Sequence, residues 1–126
     1  MTLGSALIGL WLYVSVIYQG KEMPLPNPTL QLQMIFVNST QMKLRYSYLG
    51  ESGFCESAAN YVYDSLKKNL HLEVVEVHPD NAEFCQQDPD MRLGRKSETP
   101  VILKEGRLHF RLGLGEEELT MILIRQ

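Results

Sequence analysis

The pattern of apolar and polar residues predicts strands at four places along the chain. In MKLRYSYL, residues 42–49, apolar side chains recur at every second position, which is the period of a half-buried strand. HLEVVEV, residues 71–77, has apolar residues in both registers, as in a strand buried on both faces. TPVILKEGRLHFRLG, residues 99–113, has two apolar runs around an acid-glycine pair, which predicts a hairpin. TLQLQMIFV, residues 29–37, predicts one more strand.

Three other segments have patterns that are typical of helices. ESAANYVYDSLKKNL, residues 56–70, repeats apolar residues at helical spacing and has lysines near its end, where the helix dipole favours cations. PDNAEFCQQDPDM, residues 79–91, predicts a short helix that begins at Asp80 and ends near Pro89. GEEELTMILIRQ, residues 115–126, has acids in its first turn and apolar residues after them. From residue 42 onward, the predicted order is strand, helix, strand, helix, strand, strand, helix.

The beginning of the chain predicts a membrane anchor. Residues 3–18, LGSALIGLWLYVSVIY, carry no charge, and their length is near the short end of the roughly 17 to 25 residues that cross a bilayer as a helix. A cleaved signal peptide is the second interpretation, although nothing basic precedes Leu3 and only Gly20 offers a small residue for cleavage. A buried helix or strand of the folded domain is the third.

Prolines and charge then suggest how the chain divides. Three prolines within residues 24–28 predict an extended linker. We therefore expect an apolar anchor or signal segment at 1–20, a linker at 21–41 that could hold an extra strand, and a folded domain at 42–126. The protein is expected to be membrane-associated through its first segment, or to enter the secretory pathway if that segment is cleaved.

Composition excludes some classes of function. Twelve basic and fifteen acidic residues give a net charge of -3, and no basic run exceeds two residues, so no nucleic-acid partner is expected. The two cysteines and three scattered histidines match no metal-ligand spacing, so no metal site is predicted.

The order of the predicted elements resembles the thioredoxin fold, and short motifs within residues 42–126 resemble the glutaredoxins in particular. Glutaredoxins place Cys-x-x-Cys or Cys-Gly-Phe-Ser after their first strand, and SGFC, from Ser52 to Cys55, occupies that place here. A Tyr-Ser pair precedes this turn, as in many glutaredoxins. Glutathione transferase N-terminal domains and selenoprotein W-like proteins are similar to the same stretch.

Two later motifs extend the resemblance to a glutathione site. ETPV is similar to the Thr-x-Pro step of the family, in which Pro100 would be a cis-proline and the backbone of Thr99 would pair with a thiol substrate. RLGLGEEEL is similar to the segment that holds the glutamyl end of glutathione, which implies that Gly113, Gly115 and Glu116 bind substrate. Glutathione is therefore the candidate ligand.

The resemblance implies an α/β thioredoxin-like fold, a mixed sheet flanked by helices, whose site lacks its usual nucleophile. Ser52 replaces the expected cysteine, and a serine hydroxyl without a neighbouring base cannot replace a thiolate. We therefore expect a binding or accessory module at a membrane, with a protein partner or membrane complex. The alternative is a membrane-tethered, glutathione-dependent thiol-disulfide oxidoreductase that uses Cys55. Three roles stay open for Cys55, namely a redox thiol, a disulfide with Cys85, or a buried inert residue.

Overall fold

Nine antiparallel strands account for most of the residues that the computed structural model describes, which are 6–114 and 117–126. Their bounds are β1 Gly9–Tyr18, β2 Lys21–Pro24, β3 Leu30–Phe36, β4 Gln41–Tyr48, β5 Cys55–Asp64, β6 Asn69–Val77, β7 Lys96–Lys104, β8 Arg107–Leu114 and β9 Glu117–Arg125. Two short 3-10 helices, Glu83–Gln87 and Pro89–Met91, lie between β6 and β7.

The sheet closes on itself to form an eight-stranded barrel. From β3 to β9 each strand pairs with the next one along the chain, and β1 pairs with both β3 and β9. The closing ladder runs from Trp11 opposite Arg125 to Tyr18 opposite Leu119. The short strand β2 pairs only with the second half of β1, beyond the point where β1 leaves β3. The prediction of a thioredoxin-like α/β fold is therefore wrong, and the glutaredoxin resemblance that rested on it fails as well.

The segment that was predicted as the main helix forms β5 and the turn into β6. Cys55, Ser57, Ala59 and Tyr61 are buried in alternation with more exposed neighbours, which is the period of a strand. Leu66, one of the apolar residues at helical spacing in this segment, is 94% exposed in the turn. The stretch contains apolar residues at both spacings, and pairing with β4 and β6 decides for the strand.

The two other predicted helices are also wrong. Residues 117–125 form β9, in which Leu123 contributes to the core and Ile122 is fully buried. Three β-branched residues in this segment favour a strand over a helix. Residues 79–91 contain the two 3-10 helices instead of one α-helix, and the second of them begins with Pro89.

The predicted membrane anchor contains β1, whose ten residues run from Gly9 to Tyr18. Among the described residues, no helix is long and apolar enough to cross a membrane, so a transmembrane helix is not supported. Trp11, Ser15 and Val16 of this strand are buried, and its remaining residues are partly buried. This outcome corresponds to the third interpretation, a buried strand of the folded domain.

Several strand predictions are confirmed. Residues 42–49 and 71–77 correspond to β4 and β6, and residues 29–37 contain β3. The predicted burial of residues 71–77 on both faces is wrong, since Val75 is 46% exposed. The predicted hairpin joins β7 and β8, and both turn residues, Glu105 and Gly106, have positive φ angles of 53° and 76°. Such angles are those of the type I′ turn that matches the twist of a two-residue hairpin.

A core of large side chains fills one end of the barrel, which we call the closed end. Trp11 is 1% exposed, and its indole N–H donates a hydrogen bond of 2.8 Å to the carbonyl of Leu7. The guanidinium of Arg125 lies over the indole ring, 4.5 Å from its centroid. Phe36 and Tyr61 meet edge to face at 5.0 Å beside it. These contacts bind both ends of the described chain to the same core.

Candidate ligand-binding site

The other half of the barrel contains a cavity of about 570 Å³. Leu32 and Met34 of β3 line it, whereas Phe36, two residues further along, packs in the closed end. Met34, Ala59 and Phe110 line the cavity and also belong to the core cluster, so they form its floor. The cavity is therefore a continuation of the barrel interior where side chains no longer fill the space.

Apolar side chains make up most of the cavity wall. Side chains alternate between the two faces of each strand, so every second residue of a barrel strand points inward. Leu44, Leu72 and Met121 reach the cavity in this way from β4, β6 and β9. Three hydroxyl residues, Ser57, Ser97 and Thr99, add hydrogen-bonding groups to the apolar wall.

Four charged residues border the cavity. Asp90 and Arg95 lie in the connection that precedes β7, Glu98 lies in β7, and Arg111 lies in β8. Burial, and then the neighbouring charge of Asp88, raise the pKa of Asp90, while Arg95 acts in the opposite direction. Because charge lies at the mouth and apolar groups lie inside, the cavity is suited to an amphipathic molecule.

The barrel wall is divided next to this mouth. The β7–β8 ladder extends only from Val101 opposite Phe110 to Lys104 opposite Arg107. Above it, residues 96–100 pair with β6, and residues 111–114 pair with β9. We call the gap between residues 96–100 and 111–113 the wall split. Glu98, Pro100, Arg111 and Gly113 border it and also line the cavity.

Residues 78–95, which we call the cap segment, connect β6 to β7 at the cavity end of the barrel. A disulfide between Cys55 and Cys85 joins the cap segment to the start of β5, with a Cα–Cα distance of 5.6 Å. The hydroxyl of Tyr46 donates a hydrogen bond of 2.5 Å to the Asp88 carboxylate. Burial, and then this hydrogen bond, raise the pKa of Tyr46. Both contacts hold the cap segment against β4 and β5.

The stretch GESGFCESA, predicted as a redox turn, is the place where the cap segment docks. Gly53 has a φ of +98°, and a Cβ atom there would lie 2.9 Å from the Cβ of Ala82, so a side chain would collide with the cap segment. The N–H of Ala82 donates to the carbonyl of Phe54 at 3.0 Å. The amide side chain of Asn81 bonds both backbone groups of Glu56. Glycine and cysteine in this motif therefore serve close packing and cross-linking.

The predicted site residues fall into separate places. Ser52 is exposed in the loop before β5, and Cys55 is fully buried in the disulfide. The sulfur of Cys55 is bonded to that of Cys85, so the oxidised protein offers no free thiol. Neither the glutaredoxin-related module nor the oxidoreductase that uses Cys55 is therefore supported. The disulfide was one of the three roles that the sequence left open.

The remaining predicted residues lie near the cavity or outside the described residues. Thr99 lines the cavity from β7, and Pro100 and Gly113 border the wall split on facing strands. Pro100 is not a cis-proline, since the described residues contain no cis peptide bond. Gly115 and Glu116 lie outside the described residues. Glutathione binding by the predicted residues stays a prediction.

Sequence reasoning missed the cavity itself. Its lining comes from seven strands, β3 to β9. The signal that could have found it is the alternation in β3 and β4, which places Leu32, Met34 and Leu44 on one face. A second hollow of about 480 Å³ lies where β1 leaves β3. It includes Gln31, Gln33 and Ser47, and it is more polar than the barrel interior.

Comparisons with known proteins identify no significant match to this chain. No protein-family model matches the chain, and neither the curated proteins nor the solved structures contain a significant match to it.

Proposed function

We propose that this protein binds one small, predominantly apolar molecule inside the barrel. The observation that carries the proposal is the apolar cavity of about 570 Å³, which continues from the packed core toward the cap segment. The volume lies within the range of roughly 300 to 1,000 Å³ that is typical of small-molecule sites. Eight-stranded barrels are either filled by side chains or hold one small ligand, as in the lipocalins. The barrel architecture alone allows both possibilities, and the apolar wall of this cavity favours a bound ligand.

The composition of the wall indicates how such a ligand would lie. Moving apolar surface from water into the cavity contributes about 25 cal/mol per Å² buried. Hydroxyl groups of Ser57, Ser97 and Thr99 can orient a ligand by hydrogen bonds without adding a buried charge. Arg95 and Arg111 border the mouth, so a polar group of the ligand would lie there and keep contact with water.

The disulfide supports a proposal about the compartment. Structural disulfides persist in oxidising environments and are rare in reducing ones. Both cysteines of the chain are paired with each other. We therefore propose that the protein works in an oxidising compartment, as the secretory pathway provides. Membrane association and a protein partner stay predictions.

A cavity-filling variant tests the proposed binding. The probe is N-phenyl-1-naphthylamine, a neutral apolar fluorophore, titrated into the purified full chain. We expect saturable binding that Ala59→Leu weakens by about tenfold, which corresponds to about 1.4 kcal/mol, because residue 59 lies in the floor of the cavity. Ala58→Leu is the matched control, since the neighbouring side chain points to the other face of β5 and does not line the cavity.

Three outcomes decide the matter, with folding checked by circular dichroism. Saturable binding that only Ala59→Leu weakens supports the proposal. Absence of saturable binding to the wild type contradicts it. Equal affinities of wild type and Ala59→Leu would place the probe on the surface and would also contradict it.

A further inference from the structure

We propose that the ligand enters and leaves through the wall split between β7 and β8, at the side of the barrel, and that Pro100 keeps this portal open. The inference rests on the proposed function, because a portal requires a ligand inside the barrel. It adds an access route and two residues, Pro100 and Gly113, that control it.

The position of Pro100 in its strand explains why the ladder ends there. The N–H of Val101 donates to the carbonyl of Lys68 at 2.9 Å, so the backbone groups of residue 101 face β6. Backbone groups alternate in direction along a strand, so those of residue 100 face β8. Proline has no N–H to donate. Of the two bonds that would join Pro100 to Arg111 and extend the β7–β8 ladder above Val101 and Phe110, the one donated by residue 100 therefore cannot form.

The charged residues beside the split are held apart from each other. Glu98 accepts a hydrogen bond of 2.9 Å from the side chain of Asn69 on β6. Arg111 forms an ion pair of 3.3 Å with Glu118 on β9. Glu98 is thus directed toward β6 and Arg111 toward β9. These contacts stabilise the two edges of the split separately.

Gly113 leaves the edge of the split uncovered. It is exposed, and a Cβ atom added there would meet no heavy atom within 4 Å. Its φ angle lies outside the positive range that favours glycine, so a larger residue is sterically permitted. A side chain at position 113 would occupy open space at the edge of the split, next to the proposed route.

The end of the barrel is a less suitable route because the cap segment is fastened there. The disulfide, the bond between Tyr46 and Asp88, and the paired amide of Asn81 join the cap segment to β4 and β5. A ligand that passed beneath the cap segment would have to break several of these contacts at once. Passage through the split requires only that two strand edges, which are not paired with each other, separate further.

The experiment measures how fast N-phenyl-1-naphthylamine enters the full chain, by stopped-flow fluorescence. We expect Gly113→Phe to slow both uptake and release by about tenfold, since about 1.4 kcal/mol of added barrier is enough for this change, while the equilibrium affinity stays near that of the wild type. Lys104→Phe is the matched control, because residue 104 is an exposed position on β7 where the ladder is paired.

A second variant tests the role of the proline. Pro100→Val restores an N–H that faces β8, and we expect the ladder to extend, the amide of residue 100 to be protected from hydrogen exchange, and uptake to slow as with Gly113→Phe. If Pro100→Val fails to fold, Gly113→Phe still decides the route. Slower uptake in Gly113→Phe with unchanged rates in Lys104→Phe supports the portal.

The outcomes separate this inference from the proposed function. If the wild type binds the probe but Gly113→Phe leaves both rates unchanged, the portal is overturned while the binding function stands. If the wild type binds no probe, the proposed function fails and the portal fails with it. If Gly113→Phe lowers the affinity without changing the uptake rate, position 113 contacts bound ligand and is not a portal residue, which also overturns the inference.

Discussion

The two ends of this barrel are stabilised in different ways. At the closed end, large side chains such as Trp11, Phe36 and Leu123 fill the interior, and Arg125 covers the face of the indole. At the cavity end the interior is hollow, and the cap segment is held by a disulfide, a few polar contacts and a smaller apolar cluster that includes Met91. Extensive packing stabilises the first end, whereas the second combines a smaller apolar cluster with a disulfide and hydrogen bonds.

The contrast teaches where a binding site can be placed in a small barrel. A cavity forfeits the dispersion contacts and apolar burial that would otherwise stabilise the surrounding strands. The packed core of the closed end and the disulfide, which restricts the unfolded chain, both contribute stability that offsets this loss. We expect the two ends to respond differently to substitution, and four predictions test this difference.

The largest effect is expected at the closed end. Trp11→Ala should lower the free energy of unfolding by about 3 to 5 kcal/mol, because a fully buried aromatic side chain is lost and a cavity is left. Urea denaturation followed by circular dichroism measures the change. Val62→Ala, at a position that is 66% exposed, is the control and should change it little. A loss at Trp11 no larger than that at Val62 would show that the closed end is not the stabilising core.

The disulfide is expected to matter next. Replacing both Cys55 and Cys85 by alanine should lower the free energy of unfolding by about 2 to 4 kcal/mol, through the greater freedom of the unfolded chain. Native-state hydrogen exchange should show lost protection in the 3-10 helices of the cap segment, while the amides around Trp11 keep theirs. Ser52→Ala, in the same loop, is the control. Uniform loss of protection along the whole chain would contradict a separate contribution at the cavity end.

The smallest effect is expected at Tyr46. Tyr46→Phe should cost about 1 to 2 kcal/mol, because it removes the hydrogen bond to the Asp88 carboxylate. Tyr48→Phe, which removes a hydroxyl two residues away, is the matched control. Urea denaturation at neutral pH measures both, and equal small losses in the two variants would show that the bond to Asp88 adds no stability.

The same pair of variants carries a pH dependence. Burial and Asp88 raise the pKa of Tyr46 above its ordinary value of 10.0, so the folded state favours the neutral phenol. The contribution of this group is therefore fully present below about pH 10 and is lost as the pH rises toward the folded-state pKa. Above pH 10, Tyr46→Phe should lose stability less steeply than the wild type. Parallel alkaline unfolding curves would contradict this.

Part of the fold could be predicted from the sequence. The alternation in residues 42–49 and the glycine turn after β7 indicated strands and a hairpin that the structure contains. The segment 56–70 could not be decided in the same way, since its apolar residues satisfy helical spacing and its period-two residues satisfy a strand. Because this segment was predicted as a helix, the order of elements resembled the thioredoxin fold, and short motifs were then assigned to the wrong family.

The candidate site was less predictable than the fold. SGFC and ETPV drew attention to Cys55, Thr99 and Pro100, and the structure places Thr99 and Pro100 in the lining of the cavity. Their roles differ from those implied by the resemblance, because Cys55 is cross-linked and Pro100 ends a ladder between strands. Local sequence marks residues with special chemistry, whereas their neighbours across the sheet determine what that chemistry does.

By itself, the sequence determined the residues with local conformational preferences: the strand alternation of β4, the turn glycine at 106, and a proline at 100 that cannot donate a hydrogen bond. The tertiary structure alone decided that an apolar run near the start of the chain is β1, that it pairs with β9 to close a barrel, and that a hollow remains inside. The physical reason is that strand pairing and burial depend on contacts between residues far apart in the chain, such as Trp11 and Arg125. Local periodicity does not encode those contacts.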